Sequence, residues 1–315
     1  MGSPSWTADH IPGLTGRTAV VTGANAGLGY HVALELARYG ATVVLACRDP
    51  RRGEAALARI RRELARPDVE LRPLDLGDLG SVRAFATDVT AAHPVLDLLI
   101  NNAGIMALPR ALTADGFEQQ LGVNHLGHFA LTGLLFTALS AADEPRVVTV
   151  SSQAHAMGTI DFDDLMAEHR YGPWRAYGQS KLANLLFAFE LQRRADRASM
   201  PLTSVATHPG YAATNLQNAA AQARRRAWVR HASAAVTRMV AQPAAQGALT
   251  TLYAATMPDV RGGEFFGPDS FGGSRGHPTR VKATAKAYDP ETAARLWERS
   301  EELTGVTFGE LDSSP

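Results

Sequence analysis

A single cysteine, Cys47, in 315 residues excludes an intramolecular disulfide and a zinc site built on cysteines. So low a count fits a reducing compartment. Charge of one sign is also missing. The 31 basic and 31 acidic side chains cancel, so nothing argues for nucleic acid or an anionic membrane as the main partner. No uninterrupted apolar run is long enough to span a bilayer, and Met1–Gly16 has no apolar core of signal-peptide length. The expected location is therefore cytoplasmic, with no integral membrane segment. What remains is ordinary globular material, 45% hydrophobic and 20% charged, sufficient for one large α/β domain or two modest ones.

Short apolar, β-branched runs at 18–22, 41–46, 69–74, 95–100, 145–150 and 202–207 read as buried strands. Between them lie helical patterns at 30–39, 51–65, 79–92, 113–140 and 174–199. Helices are also expected at 243–255 and 290–303, with Glu264-Phe265-Phe266 as a last strand. This alternation predicts an α/β fold with a doubly wound parallel sheet of seven strands flanked by helices. No linker divides the chain. Residues 1–16 read as a lead-in, 17–285 as the domain with 217–285 covering the substrate side, and 286–315 as a C-terminal helix and tail.

Thr22-Gly23-Ala24-Asn25-Ala26-Gly27-Leu28-Gly29 joins the first strand to the first helix. Glycines there let the backbone turn sharply and approach a pyrophosphate, and the helix N-terminus offers free N–H groups. Gly23, Asn25, Ala26, Gly27, Leu28 and Gly29 are thus candidate cofactor contacts. Their spacing is Gly-x-x-x-Gly-x-Gly rather than the common Gly-x-Gly-x-x-Gly. After the second strand, Cys47 occupies the place where an acidic residue would select NAD, and Arg48 follows it. A guanidinium there suits a 2′-phosphate, so NADP(H) is the expected cofactor. Asp49 argues the other way, since it could reach a ribose hydroxyl.

Tyr177 and Lys181 lie one helical turn apart on one face. An ammonium beside a phenol favours the phenolate and is expected to lower the Tyr177 pKa, as general acid-base chemistry would require. In chain order, the glycine turn, Asp75-Leu76, Asn101-Asn102-Ala103-Gly104, Asn124, Ser151-Ser152, Tyr177/Lys181 and Pro209-Gly210 resemble the short-chain dehydrogenase/reductase family over roughly residues 16 to 270. Val123-Asn124-His125-Leu126-Gly127-His128-Phe129, Ser151-Ser152-Gln153-Ala154-His155 and Tyr177-Gly178-Gln179-Ser180-Lys181-Leu182-Ala183-Asn184 are similar to its retinol dehydrogenase, WW-domain oxidoreductase and protochlorophyllide reductase branch.

The resemblance implies a single-domain Rossmann fold and an NADP(H)-dependent oxidoreductase acting on a carbonyl or alcohol. It assigns catalysis to Asn124, Ser152, Tyr177 and Lys181. Tyr177 would move the proton, and Lys181 would hold the nicotinamide ribose. Asn124 would hold a relay water, and Ser152 the substrate oxygen, with Ser151 structural. Cofactor contacts would come from Asp75 and Leu76, from Asn102, Ala103 and Gly104, and from Pro209, Gly210 and Thr214. A homodimer or homotetramer through the helices at 113–140 and 174–199 is compatible with it, unless the C-terminal segment covers that face.

Leu216, Trp228, Val236, Met239, Phe265 and Phe266, with Met106, Leu108, Met157 and Trp174 opposite, suggest a pocket for a small lipophilic substrate. Asp161, Asp163 and Asp164 read as solvated loop carboxylates rather than a metal site. His125, His128 and His155 read as core or rim residues. A non-catalytic NADP(H)-binding regulator, the competing reading, has no need of Tyr177 and Lys181 together, and a transferase on the same fold needs neither them nor Asn124 and Ser152.

Overall fold

The computed structural model describes residues 5–210, 243–309 and 311. The expected strands appear as β1 (Thr18–Thr22), β2 (Thr42–Cys47), β3 (Val69–Pro73), β4 (Leu98–Asn101), β5 (Arg146–Val150), β6 (Thr203–Thr207) and β7 (Phe265–Ser270). They pair in parallel in the order β3-β2-β1-β4-β5-β6-β7. Their apolar runs have the reason anticipated. Val20 and Val21 point to opposite faces of the sheet, and both are fully buried, in separate core clusters.

One face is covered by α1 (Gly27–Arg38), α2 (Pro50–Glu63) and α8 (Ala244–Thr256). The other carries α3 (Leu79–Ala92), α5 (Gly127–Leu134), α7 (Pro173–Arg197) and α9 (Pro290–Thr304). Strand order reverses between β1 and β4. The crevice beyond the carboxyl ends of these strands is where open α/β sheets bind ligands.

Three expectations change. First, β8 (Arg275–Arg280) adds an antiparallel eighth strand outside β7. Its sequence, Arg-Gly-His-Pro-Thr-Arg, lacks apolar alternation because it is an edge, and Pro278 and the arginines blunt that edge. Second, residues 113–118 are not helical. Thr113 and Phe117 exchange hydrogen bonds across a turn in which Gly116 has φ 86°. The helix starts only at α4 (Gln119–Leu121), where Glu118 accepts from the Gln120 and Leu121 amides at 3.0 and 2.8 Å. It continues through a π-type turn at Gly122–Leu126 into α5, and breaks again before α6 (Phe136–Ser140).

Third, Phe265 and Phe266 are core residues, 3% and 0% exposed, rather than pocket lining. Leu216, Trp228, Val236 and Met239 lie outside the described residues.

The chain ends are tied to the body. Ile11 is buried, and the Trp6 ring meets Tyr253 edge-on at 5.3 Å. At the other end, Trp297 of α9 and Phe308 pack against Phe129 and Phe187 with ring centroids 5.1–6.4 Å apart. The face of α5 and α7 considered for subunit pairing is therefore lined by the chain's own α9.

Candidate active site

The glycine turn closes as its sequence requires. Gly23 and Gly27 have φ of 66° and 57°, conformations that side chains rarely adopt. A Cβ on Gly29 would collide with Asn102 Nδ2 and the Gly23 carbonyl. Gly29→Ala is accordingly expected to destabilise the fold by about 1–3 kcal/mol, read as a lower Tm. No side chain caps α1 at Ala26, so the amides of its first turn face the crevice as an anion would need.

The wall beside this turn is pinned by Thr22. Its Oγ1 accepts from the Asn102 and Ala103 amides at 2.9 Å each, and Asn102 Nδ2 donates to the Thr22 carbonyl at 2.7 Å. The Thr22 hydroxyl also meets His128 Nε2 at 2.9 Å, while His128 Nδ1 lies 3.0 Å from the Asn124 carbonyl. A carbonyl only accepts, so Nδ1 carries the proton and Nε2 takes the Thr22 hydrogen. Burial holds His128 down at about 4, so it stays neutral. Neither Thr22 nor His128 was legible as a site residue, because the bond that joins them spans 106 residues, from β1 to α5.

At the end of β2, Arg48 is exposed. Asp49 is engaged elsewhere. It caps α2, accepting from the Arg52 amide at 3.1 Å and facing the Arg52 guanidinium at 3.6 Å. Cys47 is buried and its thiol is pushed up to about 12 by desolvation, which leaves it unreactive. Asp75 uses one oxygen to accept from the Gly77 amide at 2.9 Å. The Leu76 carbonyl lies so close to Gly127 that a Cβ there would collide with it.

Lys181 and Tyr177 are both buried on α7, and the ammonium is 5.9 Å from the centre of the phenol ring. Lys181 Nζ donates to the Val150 carbonyl at 2.9 Å, which Asn184 Nδ2 also reaches at 3.1 Å. Ser151 Oγ donates to the Lys181 carbonyl, a structural link between β5 and α7. Ser152 is the serine that acts on the Tyr177 phenol, favouring its ionised form. Gly104 lies against both Asn124 Oδ1 and Lys181 Nζ; a Cβ there would be 3.2 and 3.5 Å from them. Gly104, Asn124, Ser152, Tyr177 and Lys181 thus converge.

One expectation about this cluster needs correction. The Tyr177 pKa is not lowered. Burial pushes it up to about 12, and the effect of Ser152 opposes this only in part. The same burial brings Lys181 down to about 8. Desolvation disfavours both charged forms, and it outweighs the attraction between them. The Asn124 side chain has both amide hydrogens engaged. Its Nδ2 gives its hydrogens to the Ile105 carbonyl and Ser180 Oγ, both at 2.9 Å, and its Oδ1 accepts from the Ile105 amide at 2.8 Å. Asn124 thereby clamps the loop after β4, within a π-type turn of a kind often found at functional sites.

Around the site, Pro209 and Gly210 follow β6, Gly210 with φ 65°. Thr214 lies outside the described residues. The loop carboxylates have local partners: Asp161 pairs with Arg175 at 2.9 Å, and Asp164 accepts from the amides of Glu168, His169 and Arg170. No helix among the described residues is long and apolar enough to cross a membrane.

A crevice at the strand reversal, an open glycine turn and a Ser-Tyr-Lys cluster with Tyr177 and Lys181 buried define the class. The short chain dehydrogenase family model matches residues 17–225, and the chain belongs to that family. It is 42% identical to the polyprenol dehydrogenase of Mus musculus over 309 residues, covering 96% of this chain and 88% of that one. Retinol dehydrogenase 14 of Homo sapiens is 40% identical over 311 residues, covering 94% and 88%. The crystal structure of an uncharacterized protein from Mycobacterium Paratuberculosis superposes with a TM-score of 0.80 at 49% identity, covering 96% and 99%. The chain is thus an oxidoreductase of this family, with retinol dehydrogenase-like relatives along most of its length.

Proposed function

We propose that the protein is an NADP(H)-dependent oxidoreductase of the cytoplasm that interconverts a lipophilic ketone or aldehyde and its alcohol. The observation that carries this reading is the placement of Ser152 with the buried Tyr177 and Lys181 at the carboxyl edge of the sheet. NADP(H), when bound, supplies the hydride. The residues fit it: the uncapped start of α1 and the tight approach at Gly23 and Gly29 make a pyrophosphate cradle, and Gly104 leaves room beside Lys181.

In this reading Ser152 holds the carbonyl oxygen, and Tyr177, neutral at pH 7, donates its phenolic proton as that oxygen becomes an alkoxide. Lys181 orients the nicotinamide ribose and carries the charge that stabilises the phenolate left behind. Any relay water would bind the Asn124 carbonyl rather than its amide. Asp75 and Leu76 serve the adenine end, while Asn102, Ala103, Pro209 and Gly210 line the remainder. Retention of both Tyr177 and Lys181 disfavours a regulator that only senses the cofactor. The printed names of the relatives, a polyprenol and a retinol dehydrogenase, support an apolar substrate.

The choice of NADP(H) over NAD(H) rests on Arg48, exposed beside the adenosine end, and on the engagement of Asp49 by α2. Arg48→Ala is expected to raise the KM for NADPH by about 10- to 100-fold, the worth of a charge-assisted contact of about 1.5–3 kcal/mol, and to leave the KM for NADH unchanged. Comparing NADPH and NADH consumption with a hydrophobic aldehyde tests this directly. Equal use of the two cofactors by the wild type would refute the preference.

A further inference from the structure

Phe271 is 82% exposed and has φ 51°. It stands first in the β7–β8 turn, followed by Gly272 and Gly273, which also have positive φ. Glycines adopt that conformation freely, whereas a bulky aromatic residue does so against steric resistance. Burial does not compensate here, because the ring faces solvent. Strain without a packing reason points to a role other than stability.

The position of the turn suggests that role. β7 runs parallel to β6, so its last residue, Ser270, and the turn after it lie at the carboxyl edge of the sheet, where the site is. The turn is fixed there. Gln153, next to Ser152, donates from Nε2 to the Gly272 carbonyl at 2.8 Å. The Ser274 carbonyl packs so tightly on Gly210 that a Cβ there would collide with it. One contact thus ties the turn to the residue that follows the catalytic serine, and the other to the turn after β6.

Other exposed apolar side chains flank the tyrosine. Trp174, 46% exposed, meets the Tyr177 ring edge-on at 6.0 Å. Met157, 60% exposed, lies over Gly178, where a Cβ would be 3.0 Å from its Cγ. Apolar surface therefore borders the site from the tyrosine helix and again from the serine and β6 side.

We propose that Phe271 is a specificity-determining residue whose ring covers the hydrocarbon part of a long apolar substrate while Ser152 and Tyr177 hold its carbonyl end. This inference rests on the dehydrogenase reading above, and it adds a preference for extended over short substrates. A ring covering several methylenes contributes enough burial to shift selectivity by about tenfold or more.

The test compares kcat/KM for decanal and for propanal, with NADPH, in the wild type, Phe271→Gly and Phe271→Tyr. For Phe271→Gly we expect the decanal-to-propanal ratio to fall about tenfold, through a higher KM for decanal. Propanal turnover should hold, and the Tm should be unchanged or raised because the strain is relieved. Phe271→Tyr keeps a ring and should keep the ratio. An unchanged ratio in Phe271→Gly, or equal losses on both aldehydes together with a lower Tm, would overturn the proposal alone. If the wild type reduced neither aldehyde, the dehydrogenase reading would fall and this inference with it.

Discussion

Tyr177→Phe should lower carbonyl reduction by about 10²- to 10⁴-fold while leaving the fold and NADPH affinity intact. The substitution removes one hydroxyl, and the ring that packs against Trp174 is kept. Only the proton is lost. Steady-state reduction of a hydrophobic aldehyde, alongside NADPH titration by fluorescence, separates the two effects. A variant that binds NADPH and turns over at the wild-type rate would remove Tyr177 from the mechanism. The raised pKa adds a direction. A phenol held at about 12 is fully protonated at pH 7, the form needed for reduction, so reduction should not fade at neutral pH through loss of that proton.

Lys181→Met should be nearly inactive and yet more stable than the wild type. Lys181 drops from an ordinary 10.5 to about 8 in the fold because burial penalises its charge. Below pH 8 both folded and unfolded chains carry the proton, and the folded state bears the full penalty. Between about 8 and 10.5 the folded chain is neutral while the unfolded chain is still protonated, so the penalty fades and stability rises with pH. The shift corresponds to about 3 kcal/mol. The lost hydrogen bond to Val150 offsets about 1 kcal/mol, and the Val150 carbonyl keeps Asn184 as a donor. Thermal unfolding from pH 6 to 10.5 should therefore show the variant's advantage at about 2 kcal/mol below pH 8, shrinking toward high pH. A variant less stable at pH 7, with no pH-dependent difference, would contradict the burial argument.

The parallel strands were legible because strands buried on both faces are continuous apolar runs, and the helices between them carry a 3.6-residue period. β8 was not, since an edge strand needs no apolar face. The helix expected from Thr113 began six residues late, because Glu118 and not the apolar pattern sets its start. Within the site, the residue types and their order pointed to Ser152, Tyr177 and Lys181, and the structure brings them together. Contacts between distant segments were invisible. Thr22 clasps Asn102 and Ala103, His128 links Thr22 to Asn124, and Asn124 commits its amide to Ile105. Asp49 was ambiguous in the sequence because an acidic residue after a strand can serve a ribose or a helix cap, and its bonds to Arg52 show the cap. The expected lowering of the Tyr177 pKa failed because the sequence reveals a neighbouring charge but not the depth of burial.

The most direct measurement follows the hydride. The protein is supplied with NADPH deuterated at C4 of the nicotinamide, on the face that is transferred, and with decanal, and the product is analysed by mass spectrometry. The account predicts decanol carrying one deuterium on its hydroxyl-bearing carbon, formed by the wild type and lost in Tyr177→Phe. NADPH oxidised with no deuterium in any alcohol product would contradict it, as would labelled decanol formed equally by Tyr177→Phe.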